Sequence, residues 1–356
     1  PSSVYQPAQA TRASLDRSRD ALAGCLGAAS NEIIFTSGGS EGDNAAIKGA
    51  AFARREQGLH LITSAIEHHA VLHSMEELER HFGFEVTMLP VNHAGLIDVA
   101  QLEAAIRPNT TLVSIMWANN EIGTIQPIDQ IAELTGRRGV TLHVDAVQAA
   151  GLLSIDLSSV HVDLLSISAH KFYGPKGVGA LYLRNGTPWW PLLTGGGQER
   201  NRRAGTENVA GIAAMARALE LAVTERATEV PRLSAMRDYL LHEIPARIPG
   251  TVINGDAQRR LPNNANFSFG GVHGEALLVA LDLAGIMVSS GSACASGSLD
   301  PSHVLEAIGV PRHLAQASLR LTLGRQTTQS DLMRTVSALE GIVARLRSLA
   351  PSAARA

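Results

Sequence analysis

Cysteine is almost missing from this sequence, with 2 in 356 residues. That excludes a disulfide-stapled scaffold and most all-cysteine metal sites, and makes a reducing cytoplasm the default compartment. Long apolar runs are lacking too, since none reaches the ~18–20 residues a membrane-spanning helix needs. Nor does charge of one sign dominate: 30 basic and 33 acidic residues give a formal net charge of −3. Nothing therefore draws the chain in bulk to nucleic acid or to an anionic membrane. Lysine is scarce as well. Of the 30 basic residues only Lys48, Lys171 and Lys176 are lysines, so any Schiff-base chemistry has three candidates.

What is present is ordinary globular composition, 45% hydrophobic and 18% charged. At roughly 100–200 residues per domain, the length predicts about two domains. Short apolar runs at 33–36, 61–64, 85–89, 112–116, 141–144, 164–168 and 178–183 alternate with helix-like stretches near 41–56, 70–82, 99–106 and 128–138. This alternation predicts an α/β domain with a mainly parallel sheet, preceded by an amphipathic helix over 11–26. Beyond about residue 226 the texture changes. A helical region near 207–245 is expected to break at Pro231, Pro245 and Pro249. Strands are expected near 266–269, 286–289 and 319–323, with helices from about Gly274 and Ser330. The predicted division is a large α/β domain over 1–226 and a smaller α+β domain over 227–356.

Ligands of parallel sheets bind at the carboxyl ends of the strands. Lys171 stands there, just after 164–168, although a surface lysine reads the same way. Lys48 is expected on a solvated helix face. Asp145 ends the 141–144 run, where an acid is costly unless it is paired. A cationic ring nitrogen would pair it, and an N-cap role is the plainer reading. Ser37-Gly38-Gly39-Ser40-Glu41 joins a strand to a helix and could cup a phosphate, as could many tight turns. His68 follows 61–64 and could stack on an aromatic ligand. His69, His73 and Glu77 have metal-compatible spacing, but no third strong ligand is evident, and no metal is expected. Cys25 lies on an amphipathic helix face and reads as packing. Cys294 lies in Ser289-Ser290-Gly291-Ser292-Ala293-Cys294-Ala295-Ser296-Gly297-Ser298, whose composition is that of a loop and not of a core.

Seven motifs share one order and spacing with a known family. They are Thr36-Ser37-Gly38-Gly39-Ser40-Glu41-Gly42-Asp43-Asn44, Glu67-His68, Asn119-Asn120-Glu121-Ile122-Gly123, Val144-Asp145-Ala146-Val147-Gln148, Ser168-Ala169-His170-Lys171, the glycine- and arginine-rich 195–206, and Ser290-Gly291-Ser292-Ala293-Cys294. Over nearly its whole length the chain resembles the pyridoxal-phosphate-dependent cysteine desulfurases, the NifS/IscS-like class of the fold-type I aminotransferase superfamily. The resemblance implies the PLP-dependent transferase fold, with pyridoxal 5'-phosphate as cofactor and L-cysteine as substrate. It also implies a homodimer, a sulfur-acceptor protein such as an iron–sulfur scaffold, and a cytoplasmic location.

Residue by residue, Lys171 matches the lysine that binds the cofactor covalently, and Asp145 the partner of its ring nitrogen. His68 matches the ring-stacking histidine implicated in proton transfer, and Gln148 the partner of the phenolate oxygen. Gly39, Ser40, Ser168 and His170 match phosphate contacts, with Thr206 reaching across from a second subunit. Asn120 and Arg320 match the substrate-carboxylate groups, and Cys294 the sulfur-accepting cysteine. Gly39 and Ser40 stand where Ala-Thr is usual. The resemblance also implies a segment with an Asn-Ala-Ala-Thr-like motif before Pro1. Selenocysteine lyase, an aminotransferase and a non-catalytic sulfur-relay or scaffold protein are the alternative readings.

Overall fold

The structure, a computed structural model, describes residues 1, 4–290 and 301–349. They form two compact units. The first comprises Pro1–Leu89, Ile97–Ala118 and Gln126–Arg226; the second comprises Pro90–Leu96, Asn119–Ile125 and Ala227–Ala356.

The first unit runs α1 (Gln6–Leu26), β1 (Ile33–Thr36), α2 (Gly39–Ala53), β2 (His60–Ser64), α3 (His69–Phe82), β3 (Glu85–Leu89), α4 (Val99–Ala105), β4 (Thr110–Met116), α5 (Ile128–Arg138), β5 (Thr141–Asp145), β6 (Leu164–Ser168), β7 (Gly179–Leu183) and the short turn α6 (Gln198–Asn201). Its seven-stranded sheet has the order β1-β7-β6-β5-β4-β2-β3. β7 runs against both its neighbours, β1 and β6, while the pairings β2–β3, β2–β4, β4–β5 and β5–β6 are parallel. β1 to β6 therefore all point their carboxyl ends to one edge. The central strands are buried at every residue, which is why they read as unbroken apolar runs and not as alternation.

α2 approaches the sheet closely because the face it presents is made of small residues. Ala46 and Ala50 are fully buried beside Leu61, Leu112 and Leu164. A Cβ added at Gly42 would lie 3.1 Å from Ser166 Oγ. Gly179, opposite both Thr36 and Ser168, has no room for a side chain at all. Its Cβ would fall 2.7 Å from Gly38 Cα and 2.7 Å from Ile167 O.

The second unit contains β8 (Thr251–Ile253), β9 (Asn264–Phe269), α8 (Gly274–Leu283), α9 (His303–Ala307), α10 (Arg312–Ala315), β10 (Ser318–Thr322) and α11 (Gln329–Leu349). Its antiparallel sheet has the order β10-β9-β8. Helix α7 (Val209–Arg247) belongs to the first unit up to Arg226 and to the second from Ala227.

Three expectations are corrected. Pro231 and Pro245 lie inside α7 without ending it. Leu219, Leu233, Leu240 and Ile244 are all buried along that helix, and tertiary packing of this kind outweighs the lost rung. Residues 286–289 are not a strand: Ser289 alone makes a bridge, to Arg320, and Met287 is 92% exposed. Lys48 is not on a solvated face, for its side chain is 13% exposed and its Nζ sits 2.7 Å from Glu77 Oε2.

Candidate active site

The carboxyl edge of the large sheet collects the sequence's candidate residues. After β1 the chain passes through Gly38 and enters α2 with no side-chain cap, so the first N–H groups of that helix keep their dipole open to an anion. Gly39 is required by closeness: a Cβ there would lie 2.7 Å from Val147 Cγ2 and 3.6 Å from Ser168 Cβ. Ser40 is exposed beside it. Ser168 ends β6, and its hydroxyl lies 3.0 Å from His170 Nδ1. Backbone N–H groups, one hydroxyl and one imidazole thus border a cradle that a methyl group would invade. That donor set fits a phosphate.

Asp145 ends β5 and is 6% exposed. Val147 N–H donates to its Oδ1 at 2.9 Å. Burial pushes its carboxyl up to about 6, against the pull of that N–H and of Lys171. Such an acid is fully ionised only beside a cation, which suits a protonated pyridine nitrogen. Lys171 is exposed on the short turn Ala169–Phe172 that follows β6. Gln148 is half-buried in the turn after β5. His68 caps α3, its Nδ1 accepting from Ala70 N–H at 3.1 Å. In the neutral ring this leaves the proton on Nε2. Before it, Glu67 is fully buried, and burial pushes its carboxyl up to about 8 despite hydrogen bonds from Ser64 and the Met116 backbone.

Three candidates remain among the described residues. Thr206 is exposed in the first unit, at the end of the glycine- and arginine-rich segment. Asn120 and Arg320 both belong to the second unit, and Arg320 Nη1 donates to Asn120 O at 2.9 Å. Next to them Glu121 is pushed up to about 7 by burial, opposed by Ser302 and Arg320. Cys294 lies outside the described residues. Among the described residues no three His, Cys, Asp or Glu side chains converge as metal ligands.

Sequence reasoning missed what anchors the 195–206 segment. Glu199 is 5% exposed and receives both ends of the Arg19 guanidinium, at 2.7 and 2.8 Å, together with Phe35 N–H at 2.9 Å. Arg203 forms a second tie, with Nε 2.8 Å from Glu41 Oε1 in the first turn of α2. Burial opposes ionisation of Glu41, yet hydrogen bonds from Arg203 and Ser37 hold its carboxyl below the ordinary value. The signal available beforehand was slight: one acid among three arginines in a glycine-rich run.

Comparison with known proteins agrees with this geometry. The aminotransferase class-V family pattern matches residues 1–334. A cysteine desulfurase IscS of Dictyoglomus turgidum is 52% identical over 351 residues, covering 99% of this chain and 89% of that protein. Another, of Methanosarcina thermophila, is 50% identical, covering 99% of this chain and 86% of that protein. Among solved structures, a NifS-like protein superposes with a TM-score of 0.91 at 36% identity, covering 97% of this chain and 92% of that one. SspA in complex with cysteine gives 0.78 at 37% identity, covering 91% and 90%. With its whole length matched and its sheet edge carrying a lysine, a buried acid and an open helix N-terminus, the chain belongs to the aminotransferase class-V family, on its cysteine desulfurase branch.

Proposed function

We propose that the protein removes sulfur from L-cysteine, giving L-alanine and a persulfide on Cys294 that is passed to an acceptor protein such as an iron–sulfur scaffold. The observation that carries this reading is the juxtaposition of Lys171 and Asp145 at the ends of the adjacent strands β6 and β5. The chain has three lysines, and one stands where a cofactor aldehyde would be bound. A cysteine-bound relative of the same fold supports the substrate.

Pyridoxal 5'-phosphate would be held by α2's first N–H groups at Gly39 and Ser40, by Ser168 and His170, by Asp145 and Gln148, and covalently by Lys171. When bound it supplies an electron sink for the carbon next to the substrate amine. The chain's own residues do the rest. Asp145 keeps a negative charge at the ring nitrogen. Lys171, once displaced by substrate, accepts the Cα proton on Nζ. His68, which would stack on the ring, offers its Nε2 for proton transfer. Asn120 and Arg320 hold the substrate carboxylate, a task suited to the planar guanidinium. Cys294 Sγ, as thiolate, bonds to the substrate sulfur while the substrate's Cβ–S bond breaks. That bond's electron pair, with a proton, ends in the methyl group of alanine, so the step needs no outside oxidant or reductant.

Residues 1–226 act as the cofactor-binding domain and 227–356 as the domain carrying the Cys294 loop. The protein works as a cytoplasmic homodimer, with Thr206 contributing to the partner's phosphate site. Its described helices include none long and apolar enough to cross a membrane. The test is direct. Purified protein given pyridoxal phosphate should turn yellow and, with L-cysteine and a thiol reductant, release equal amounts of sulfide and alanine. Lys171→Ala should abolish the lysine-bound absorbance and lower turnover by roughly 10²–10⁴-fold. Sulfide release at the wild-type rate from that variant would refute the assignment.

A further inference from the structure

Behind Asp145 lies a buried polar cluster to which the reaction above gives no task. Asp43 is on the sheet-facing side of α2 and is 1% exposed. His143 precedes Asp145 by two residues on β5, so both side chains leave the same face of the strand. His143 is fully buried. Its Nδ1 lies 2.8 Å from Ser114 Oγ, and its Nε2 lies 3.0 Å from Ser166 Oγ and 3.6 Å from Asp43 Oδ1. Asp43 is hydrogen-bonded to Ser166, while its Oδ1 has no hydrogen-bond partner. The charged groups acting on Asp43 are Asp145 and Glu67, both carboxyls, and Lys171 acts on Asp145.

Two ionised carboxylates in so enclosed a space repel each other, and each also loses its hydration. One of them must hold a proton. His143 does not supply a compensating charge, because burial pushes its imidazole down to about 3. Asp145 has an N–H donor and the nearby lysine; Asp43 has one bare oxygen. Burial, followed by the charge of Asp145, raises the Asp43 carboxyl well above its ordinary value.

We propose that Asp43 is a positioning residue, a carboxylic acid kept neutral by its enclosure, so that Asp145 is the ionised carboxylate left to face the cofactor ring. The hydrogen bonds then run one way: Asp43 O–H to Ser166 Oγ, Ser166 O–H to His143 Nε2, and His143 Nδ1–H to Ser114 Oγ. Asp145 is thereby the sole anion that fixes the ring-nitrogen proton. This rests on the cofactor reading above, but its first test does not need the cofactor.

In cofactor-free protein at neutral pH, Asp43 keeps a proton that the unfolded chain, with an aspartate pKa near ~3.9, has lost. A group whose folded-state pKa is raised in this way contributes stability below the unfolded value, and that contribution is lost as pH rises toward the folded one. Unfolding wild type should therefore release one more proton than unfolding Asp43→Asn, measured with an indicator dye in weak buffer. Equal release overturns the proposal. Should Asp43→Asn not fold, the infrared band of a protonated carboxyl in wild type should shift in Ser166→Ala, and its absence at neutral pH is equally fatal. With pyridoxal phosphate bound, Asp145→Asn should change the visible absorbance at neutral pH and Asp43→Asn should not. The same change in both variants would put charge on Asp43 and sink the idea. If neither variant nor wild type binds the cofactor, the functional reading fails and the proton count still judges Asp43.

Discussion

Two cysteines compete for the sulfur chemistry, and physical chemistry separates them residue by residue. Cys25 is half-buried on α1. Burial pushes its thiol up, and the charge of Glu220 pushes in the same direction, so its thiolate is scarce at neutral pH. A nucleophilic sulfur needs the opposite environment. Cys294 lies outside the described residues, but the chain leading to it is anchored. Ser289 exchanges two backbone hydrogen bonds with Arg320, at 2.8 and 3.3 Å, five residues earlier in the sequence. Ser289, near the end of the described chain before Cys294, is therefore paired with the residue proposed to hold the substrate carboxylate. Cys294→Ser should retain cofactor and still change its spectrum with L-cysteine, yet lose sulfide release by about 10²-fold or more. Cys25→Ser should keep turnover within about twofold. Both are read by sulfide assay beside the visible spectrum. Normal desulfuration by Cys294→Ser, with loss in Cys25→Ser, would reverse the assignment.

Among the elements, the segment after β7 shows what a linear sequence conceals. Glu199, Arg200 and Asn201 have φ of 46°, 57° and 61°, three successive left-handed residues of which none is glycine. Such backbone is costly and persists only where surrounding contacts over-determine it. Here the contact is the Arg19–Glu199 pair, with side chains 6% and 2% exposed and the guanidinium 4.5 Å over the Phe35 ring. Breaking a buried pair from one side typically costs ~3–5 kcal/mol. Glu199→Gln should therefore lower the melting temperature by roughly 10 °C. The double variant Arg19→Met/Glu199→Leu should be less destabilised than the single one, because no charge is stranded; calorimetry that ranks them the other way refutes the clamp. The strands β1 and β6 were legible to the residue, because fully buried strands are unbroken apolar runs bounded by turn residues; β3 was legible as well, although Leu89 is its one buried residue. The Gly39 cradle, Asp145 and Lys171 were legible because they follow those runs. The clamp was not, since its partners lie 180 residues apart. Nor was the continuity of α7 through Pro231, which depends on packing that local propensity does not contain.

At the scale of the whole molecule, the argument concerns what one copy leaves unfinished. Thr206 is exposed, three residues beyond Arg203, whose ion pair with Glu41 ties the segment to the first turn of α2. The apolar side chains of Tyr173, Trp190 and Leu193 in the same unit are 62%, 56% and 43% exposed. A second copy seated there would cover them, and a twofold axis would make the exchange reciprocal. If Thr206 serves the partner's phosphate, losing one charge-assisted hydrogen bond of ~1.5–3 kcal/mol should weaken cofactor binding about 10–100-fold in Thr206→Val. Subunits carrying Thr206→Val and subunits carrying Lys171→Ala would then fail for different reasons. In a mixed dimer one site has the intact lysine of its own subunit and the intact threonine of its partner, while the other site has neither. Co-expressed and purified through two different tags, that heterodimer should show about half the wild-type activity at limiting cofactor, where each parent is nearly inactive. If Thr206 instead served its own subunit, the site with the intact lysine would lack the threonine, and the heterodimer would be no more active than the mean of its parents. That result, or a monomer by sedimentation turning over at the full rate, would rule out the shared site.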